Sequence, residues 1–164
     1  MSQLDVGKVQ IYTGDGKGKT TAALGLMLRA FGFGLHPRMY QFMKHMFCSE
    51  HEAAQQFGLE IIQSQDKDPQ KGVRDLYERA LKDLEEEQVD VLILDETGEA
   101  MRRGLITRED IKRLIEAKPS HVELVFTGRD LEDKIGDLAD LITEMALKRH
   151  YFDSGLLARK GIEY

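Results

Sequence analysis

The chain has 164 residues, enough for one α/β domain (1–164) with a real core and too few for two comfortable ones. Its 23 basic and 29 acidic residues leave a formal net charge of -6, which argues against a general nucleic-acid binder, so any polyphosphate must be met by local basic groups. A lone cysteine, Cys48, excludes an internal disulfide. With no apolar leader and no apolar run of about 18 residues, a soluble, cytoplasmic protein that does not enter the membrane is expected.

Residues 8–13 are β-branched and aromatic and predict a strand, while 20–31, rich in Ala and Leu without proline, predict a helix. Between them runs Tyr12-Thr13-Gly14-Asp15-Gly16-Lys17-Gly18-Lys19-Thr20-Thr21. Three alternating glycines let backbone N–H groups curl inward, Lys19 can reach phosphate oxygens, and the Thr20 hydroxyl can ligate a phosphate-bound magnesium. The following helix aims its positive end at the same place. The strict phosphate-loop pattern GxxxxGK[ST] wants glycine where Thr13 stands; here it is displaced to Gly14. A glycine-rich turn without a ligand is the alternative, but it gives no reason for Lys-Thr at a helix start.

Gly32, Gly34 and Pro37 break the helix, and 38–43 alternates apolar and polar residues as a strand. Ser49 is read as the cap of a helix over 50–57, with Glu52 in a capping box and Gly58 as its end; 59–63 follows as a short strand. The polar segment 64–69 reads as a mobile loop placed where a lid can sit. Over 70–87, Val73, Leu76, Tyr77, Ala80, Leu81 and Leu84 keep helical spacing and predict a covering helix. The aliphatic run 89–94 predicts a strand buried on both faces, ending in Asp95-Glu96. Thr107 with Asp110 opens a helix to Ala117, 122–126 is a strand ending in Thr127-Gly128-Arg129, 131–138 a short helix and 141–147 a last strand. This alternation predicts an α/β fold of the P-loop nucleotide-binding type: a doubly wound, mainly parallel sheet with helices on both faces. Ligands then bind beyond the carboxyl ends of the strands.

The glycine loop, Asp95-Glu96 and Thr127-Gly128-Arg129 thus share one edge. Read alone, an acidic pair after a strand is a loop start or a helix cap. Beside a phosphate loop it becomes a candidate magnesium site opposite Thr20, and Glu96 can alternatively activate water in an ATPase. Arg129 offers a planar donor fork to phosphates or is a surface arginine on a turn. Arg29, late in the first helix, is a ligand contact or a solvated side chain. His45, Cys48 and His51 are spaced three and three, short of a structural zinc set, and read better as a partly buried cysteine flanked by ordinary histidines. Met43, Met46 and Phe47 suggest an apolar wall beside them.

Taken together the sequence resembles the ATP:corrinoid adenosyltransferases, the cob(I)yrinic acid a,c-diamide or cob(I)alamin adenosyltransferase family. The carriers are 9–23, Gln41-Phe42-Met43-Lys44, Leu94-Asp95-Glu96, Thr127-Gly128-Arg129, 138–145, His150-Tyr151-Phe152-Asp153-Ser154-Gly155 and Gly161-Ile162-Glu163-Tyr164. The displaced first glycine is also how this family writes its loop. The resemblance implies attack of a reduced Co(I) corrinoid on the 5′ carbon of ATP, with triphosphate leaving intact. By position, Gly14, Asp15, Gly16, Lys17, Gly18, Lys19, Thr20 and Thr21 contact the phosphates, Thr20 and Glu96 bind magnesium, and Arg29 approaches the nucleoside. Asp95 and Arg129 are further candidates. It also implies a homodimer and a reduced flavoprotein as electron donor. A P-loop ATPase and a nucleotide- or corrinoid-binding protein without adenosyl transfer are the alternatives. Departures fall on the corrin side: where the family commonly has Gly-Phe-Thr-Trp this chain has Ser64-Gln65-Asp66-Lys67-Asp68 and no tryptophan, and His45 replaces a glycine.

Overall fold

A computed structural model describes residues 4–164. In chain order its elements are β1 (Val9–Thr13), α1 (Lys19–Phe33), β2 (Pro37–Gln41), α2 (Ser49–Phe57), β3 (Glu60–Gln63), α3 (Pro69–Glu85), β4 (Val91–Asp95), α4 (Thr97–Arg102), α5 (Arg108–Ala117), β5 (Glu123–Thr127), α6 (Leu131–Ile135) and β6 (Leu141–Glu144). The strands form one sheet in the order β3-β2-β4-β5-β1-β6, and every pairing is parallel. All six carboxyl ends therefore lie on one edge.

Two apolar layers sandwich the sheet. On one face Ala23, Met27 and Ala30 of α1 pack on Met39, Val91, Ile93 and Val125. On the other, α3, α5 and α6 cover Ile11, Tyr40, Leu92, Leu94, Leu124 and Phe126. This is the doubly wound arrangement that the alternation predicts. β4 is buried at all five positions because it is central and covered on both faces. The α3 stripe Leu76, Tyr77, Ala80, Leu81 and Leu84 is buried, and each large side chain contributes about 1.5–3 kcal/mol, more than helix propensity supplies. Asp68 caps that helix by accepting from the Gln70 amide at 3.0 Å, with Pro69 in the first turn. Thr107 and Asp110 form the expected capping box of α5.

Some boundaries differ from the sequence reading. The residue that caps α2 is Cys48, not Ser49, and His51 rather than Glu52 closes the turn, its Nδ1 accepting from the Cys48 amide at 2.9 Å. A short imidazole reaches back to that amide as a glutamate does elsewhere. β2 ends at Gln41: the Phe42 amide makes a last ladder bond to the Asp95 carbonyl at 3.1 Å, and the chain then turns away. The strand expected over 141–147 ends at Glu144, and the helix expected over 131–138 changes to a 3₁₀ turn at Gly136–Leu138. The segment 64–69 is tied by its own side chains: Ser64 Oγ accepts from Asp66, Asp66 from Asp68, and Asp68 from Gln70. It lies beyond β3 and contributes nothing to the large cavity described next.

Candidate functional site

Thr13, the last residue of β1, leads into a loop pressed against the chain that leaves β6. A Cβ on Gly16 would stand 2.4 Å from the Met145 carbonyl oxygen, and that oxygen accepts from the Gly16 amide at 2.6 Å. Gly18 caps α1 in the left-handed region at φ 119. The first intrahelical bond runs from the Ala22 amide to Gly18 at 2.8 Å, so the amides of Lys19, Thr20 and Thr21 precede it and face the loop mouth. Lys19 Nζ rests on two loop carbonyls, Gly14 at 2.6 Å and Gly16 at 2.8 Å. Burial, then the nearby Arg129 charge, hold its pKa below the usual lysine range.

Behind the loop, Asp95 at the end of β4 is fully buried. Thr20 Oγ1 donates to its Oδ1 at 2.9 Å and Thr127 Oγ1 at 2.5 Å, while Gln41 Nε2 donates to Oδ2 at 3.1 Å. All three donors are neutral. Glu96 follows in the left-handed region at φ 62, which turns its side chain into the cavity; burial, then Asp95, raise its pKa. A short helix, α4, starts at once, and its close approach to the end of β5 requires two glycines. A Cβ on Gly98 would lie 2.3 Å from the Arg129 carbonyl oxygen. One on Gly128 would lie 2.3 Å from the Gly98 nitrogen.

These pieces open on a cavity of about 1210 Å³. The loop from Asp15 to Thr21, Glu96 and Arg129 line it, joined by Lys44, Glu50 and Glu99. The carboxyl-terminal tail forms a further wall: Lys17 Nζ pairs with Glu163 at 2.9 Å and donates to the Ile162 carbonyl at 3.1 Å, and Ser49 Oγ donates to the Tyr164 carbonyl at 3.2 Å. Hydrogen bonds from Arg159 and Tyr151 hold the Glu163 carboxyl far below its ordinary range.

A family model described as ATP:corrinoid adenosyltransferase BtuR/CobO/CobP matches residues 5–164. The chain belongs to that family. It is 29% identical to the corrinoid adenosyltransferase CobA of Salmonella typhimurium, covering 99% of this chain and 88% of that one. The corrinoid adenosyltransferase of a Sinorhizobium species is 31% identical, with 96% of this chain and 80% of the relative covered; that of Pseudomonas aeruginosa is 29% identical, with 96% and 84% covered.

In this adenosyltransferase-family chain the structure gathers most of the residues singled out in the sequence. Lys19, Thr20, Thr21, Asp15, Gly16, Lys17, Gly18, Glu96 and Arg129 line the cavity, Gly14 lies beneath Lys19, and Asp95 sits behind Thr20. Arg29 is exposed near Tyr12 and away from the cavity lining. Arg129 meets Asp15 at 3.7 Å, an exposed pair that contributes little by itself. His45 is exposed and stands apart. Cys48 and His51 instead neighbour Glu50 within 4.8 Å, but Lys44 pairs with Glu50, and His51 nitrogens engage the Cys48 amide and Gln41. Met46 and Phe47 are exposed, whereas Met43 packs on the core. Sequence reasoning missed Lys44, Glu50 and Gln41 as parts of the site; only the parallel register of β2 and β4, Gln41 opposite Asp95, reveals Gln41.

Proposed function

We propose that this chain transfers the 5′-deoxyadenosyl group of ATP to the reduced cobalt of a corrinoid and releases inorganic triphosphate. Family membership supplies the reaction class. The observation that carries the site assignment is a cationic and N–H-rich cradle, Lys19 with the α1 amino terminus, opening on a cavity larger than a triphosphate needs.

In the reaction the Co(I) electron pair forms the Co–C5′ bond, the C5′–O bond breaks, and its electron pair departs on the triphosphate. Cobalt is thereby oxidised formally from Co(I) to Co(III). No proton leaves the nucleophile, so no base among the side chains is required. The protein's task is to hold a leaving group whose negative charge grows. Lys19 exchanges its two carbonyls for phosphate oxygens, and the amides of Lys19, Thr20 and Thr21 add fixed positive dipoles. Arg129 and Lys44 stand at the cavity wall as further cations.

The donor set suits magnesium, since it is all oxygen and unpaired with any cationic side chain at Asp95. Thr20, Glu96 and Asp95 would hold the ion, which when bound offsets triphosphate charge. Burial, then the neighbouring Asp95 charge, raise the Glu96 pKa, while Lys44 and Lys19 act in the opposite direction. The same reading includes a homodimer and a reduced flavoprotein that delivers the electron to the corrinoid, both implied by the family resemblance. No helix among the described residues is long and apolar enough to cross a membrane.

Anaerobic incubation with cob(I)alamin or reduced cobinamide, magnesium and ATP is expected to give the adenosylcorrinoid spectrum and one triphosphate per transfer. Orthophosphate without adenosylation would overturn the reading in favour of an ATPase using Glu96. ATP binding without transfer under excess reductant would leave a binding protein.

A further inference from the structure

Gln41 enters the reading above only as a neutral partner of Asp95, and His51 and Gln63 have no part in it, yet all three sit against its centre. β3, β2 and β4 pair so that Gln63, Gln41 and Asp95 stand in one row at the carboxyl edge. Two residues earlier, on the same face, the corresponding row is Ile61, Met39 and Ile93, part of the apolar layer under α1. The sheet face thus changes from hydrocarbon to amides and carboxylate in a single step. Gln41 is fully buried, where an apolar side chain of similar volume would pack without needing partners.

Each hydrogen bond in the row fixes the next. The Cys48 amide donates to His51 Nδ1 at 2.9 Å, with the Cys48 carbonyl 3.2 Å from the same nitrogen, and the proton on Nε2 is required by Gln41 Oε1, which can only accept. His51 Nε2 then donates to Gln41 Oε1 at 2.8 Å, and Gln63 Nε2 donates to the same oxygen at 3.3 Å. With its oxygen so engaged, the Gln41 amide must present Nε2 to Asp95 Oδ2, where it lies at 3.1 Å. The Asp95 Oδ1 is left for Thr20 and Thr127. The far end of the row is Cys48, the cap of α2, whose first-turn residues Ser49 and Glu50 line the cavity.

We propose that Gln41 and His51 are positioning residues for the metal edge of the site: His51, through the Gln41 amide, sets the rotation of the Asp95 carboxylate so that Oδ1 faces Thr20. This rests on the reading of Asp95 as a magnesium-holding acid. Groups that orient a metal-holding carboxylate typically carry about 10–100-fold in metal affinity.

The test is equilibrium binding of Mn²⁺ to the full chain with saturating ATP and no corrinoid, read by electron paramagnetic resonance. His51→Leu is expected to weaken Mn²⁺ about 10-fold or more. His51→Gln, whose amide N–H reaches the same oxygen, is expected to restore it to within about threefold. ATP affinity without metal is expected to be the same in all three. Should His51→Leu fail to fold, Gln41→Met, which keeps the volume and removes the amide, is expected to show the same weakening. Unchanged Mn²⁺ binding in folded His51→Leu or Gln41→Met would reduce the row to packing and overturn the proposal. If wild type and Asp95→Asn bind Mn²⁺ alike, the reading of Asp95 itself fails, and the proposal with it.

Discussion

Replacing Thr127 with valine preserves the shape of a side chain that is 1% exposed and removes one oxygen. That oxygen donates to Asp95 Oδ1 at 2.5 Å and accepts the Glu96 amide at 3.1 Å. A hydrogen bond to a buried charge contributes about 1.5–3 kcal/mol and a neutral one about 0.5–1.5 kcal/mol, so Thr127→Val is expected to cost roughly 2–4 kcal/mol. Against a total stability of about 5–15 kcal/mol that is a large fraction, and it corresponds to a Tm lower by roughly 5–15 °C. Urea unfolding followed by circular dichroism measures it, and a double-mutant cycle with Asp95→Asn isolates the part due to the carboxylate. A Thr127→Val protein within about 0.5 kcal/mol of wild type would rule out this role for the hydroxyl, as would a cost unchanged in the Asp95→Asn background.

Lys19→Ala is expected to lower triphosphate formation at least about 100-fold, the effect of losing one fixed donor to a developing anion, while the Tm of the ligand-free protein stays level or rises. The stability half of that expectation follows from burial and Arg129, which disfavour the lysine charge in the folded state. Glu96 has a raised folded pKa, so its contribution to stability is fully present below its unfolded pKa and is lost as pH rises through the folded one. Glu96→Gln is therefore expected to stabilise the metal-free protein near pH 8, by less as pH falls into the ordinary glutamate range, while abolishing most transfer; equal unfolding free-energy differences at both pH values would contradict it. Gly98→Ala drives a methyl into the Arg129 carbonyl and is expected to cost about 1–3 kcal/mol in denaturant unfolding, with transfer falling as α4 moves from β5.

Much of this architecture was legible in the chain because period and punctuation carry it. The aliphatic run into Asp95, the α3 stripe and the Thr107-Asp110 box each act locally, and each appears where its residues place it. What escaped depends on contacts far apart in sequence. The helix α4 begins only because Glu96 takes a left-handed backbone and Gly98 meets Gly128, and nothing near Thr97 announces either. Gly98 is there for close approach to the end of β5, which no local pattern signals. His51 as the partner of Cys48 defeats a capping rule written for carboxylates. The tail resemblance gains a physical reason only in three dimensions, where Met145 holds the Gly16 amide and Glu163 holds Lys17 beside it. The acidic residues of 64–69 cap one another and α3, while the carboxyl-terminal tail lines the cavity.

Everything in the proposed chemistry turns on whether the loop at Gly14 to Thr21 grips a triphosphate that leaves whole. ATP labelled with ¹⁸O at the oxygen bridging C5′ and the α-phosphorus decides this, with a reduced corrinoid and mass spectrometry of the products. All of the label is expected in triphosphate, in a one-to-one ratio with adenosylcorrinoid. Label retained in ADP alongside free orthophosphate would be incompatible with such a grip, because the bond broken would then be phosphorus to oxygen.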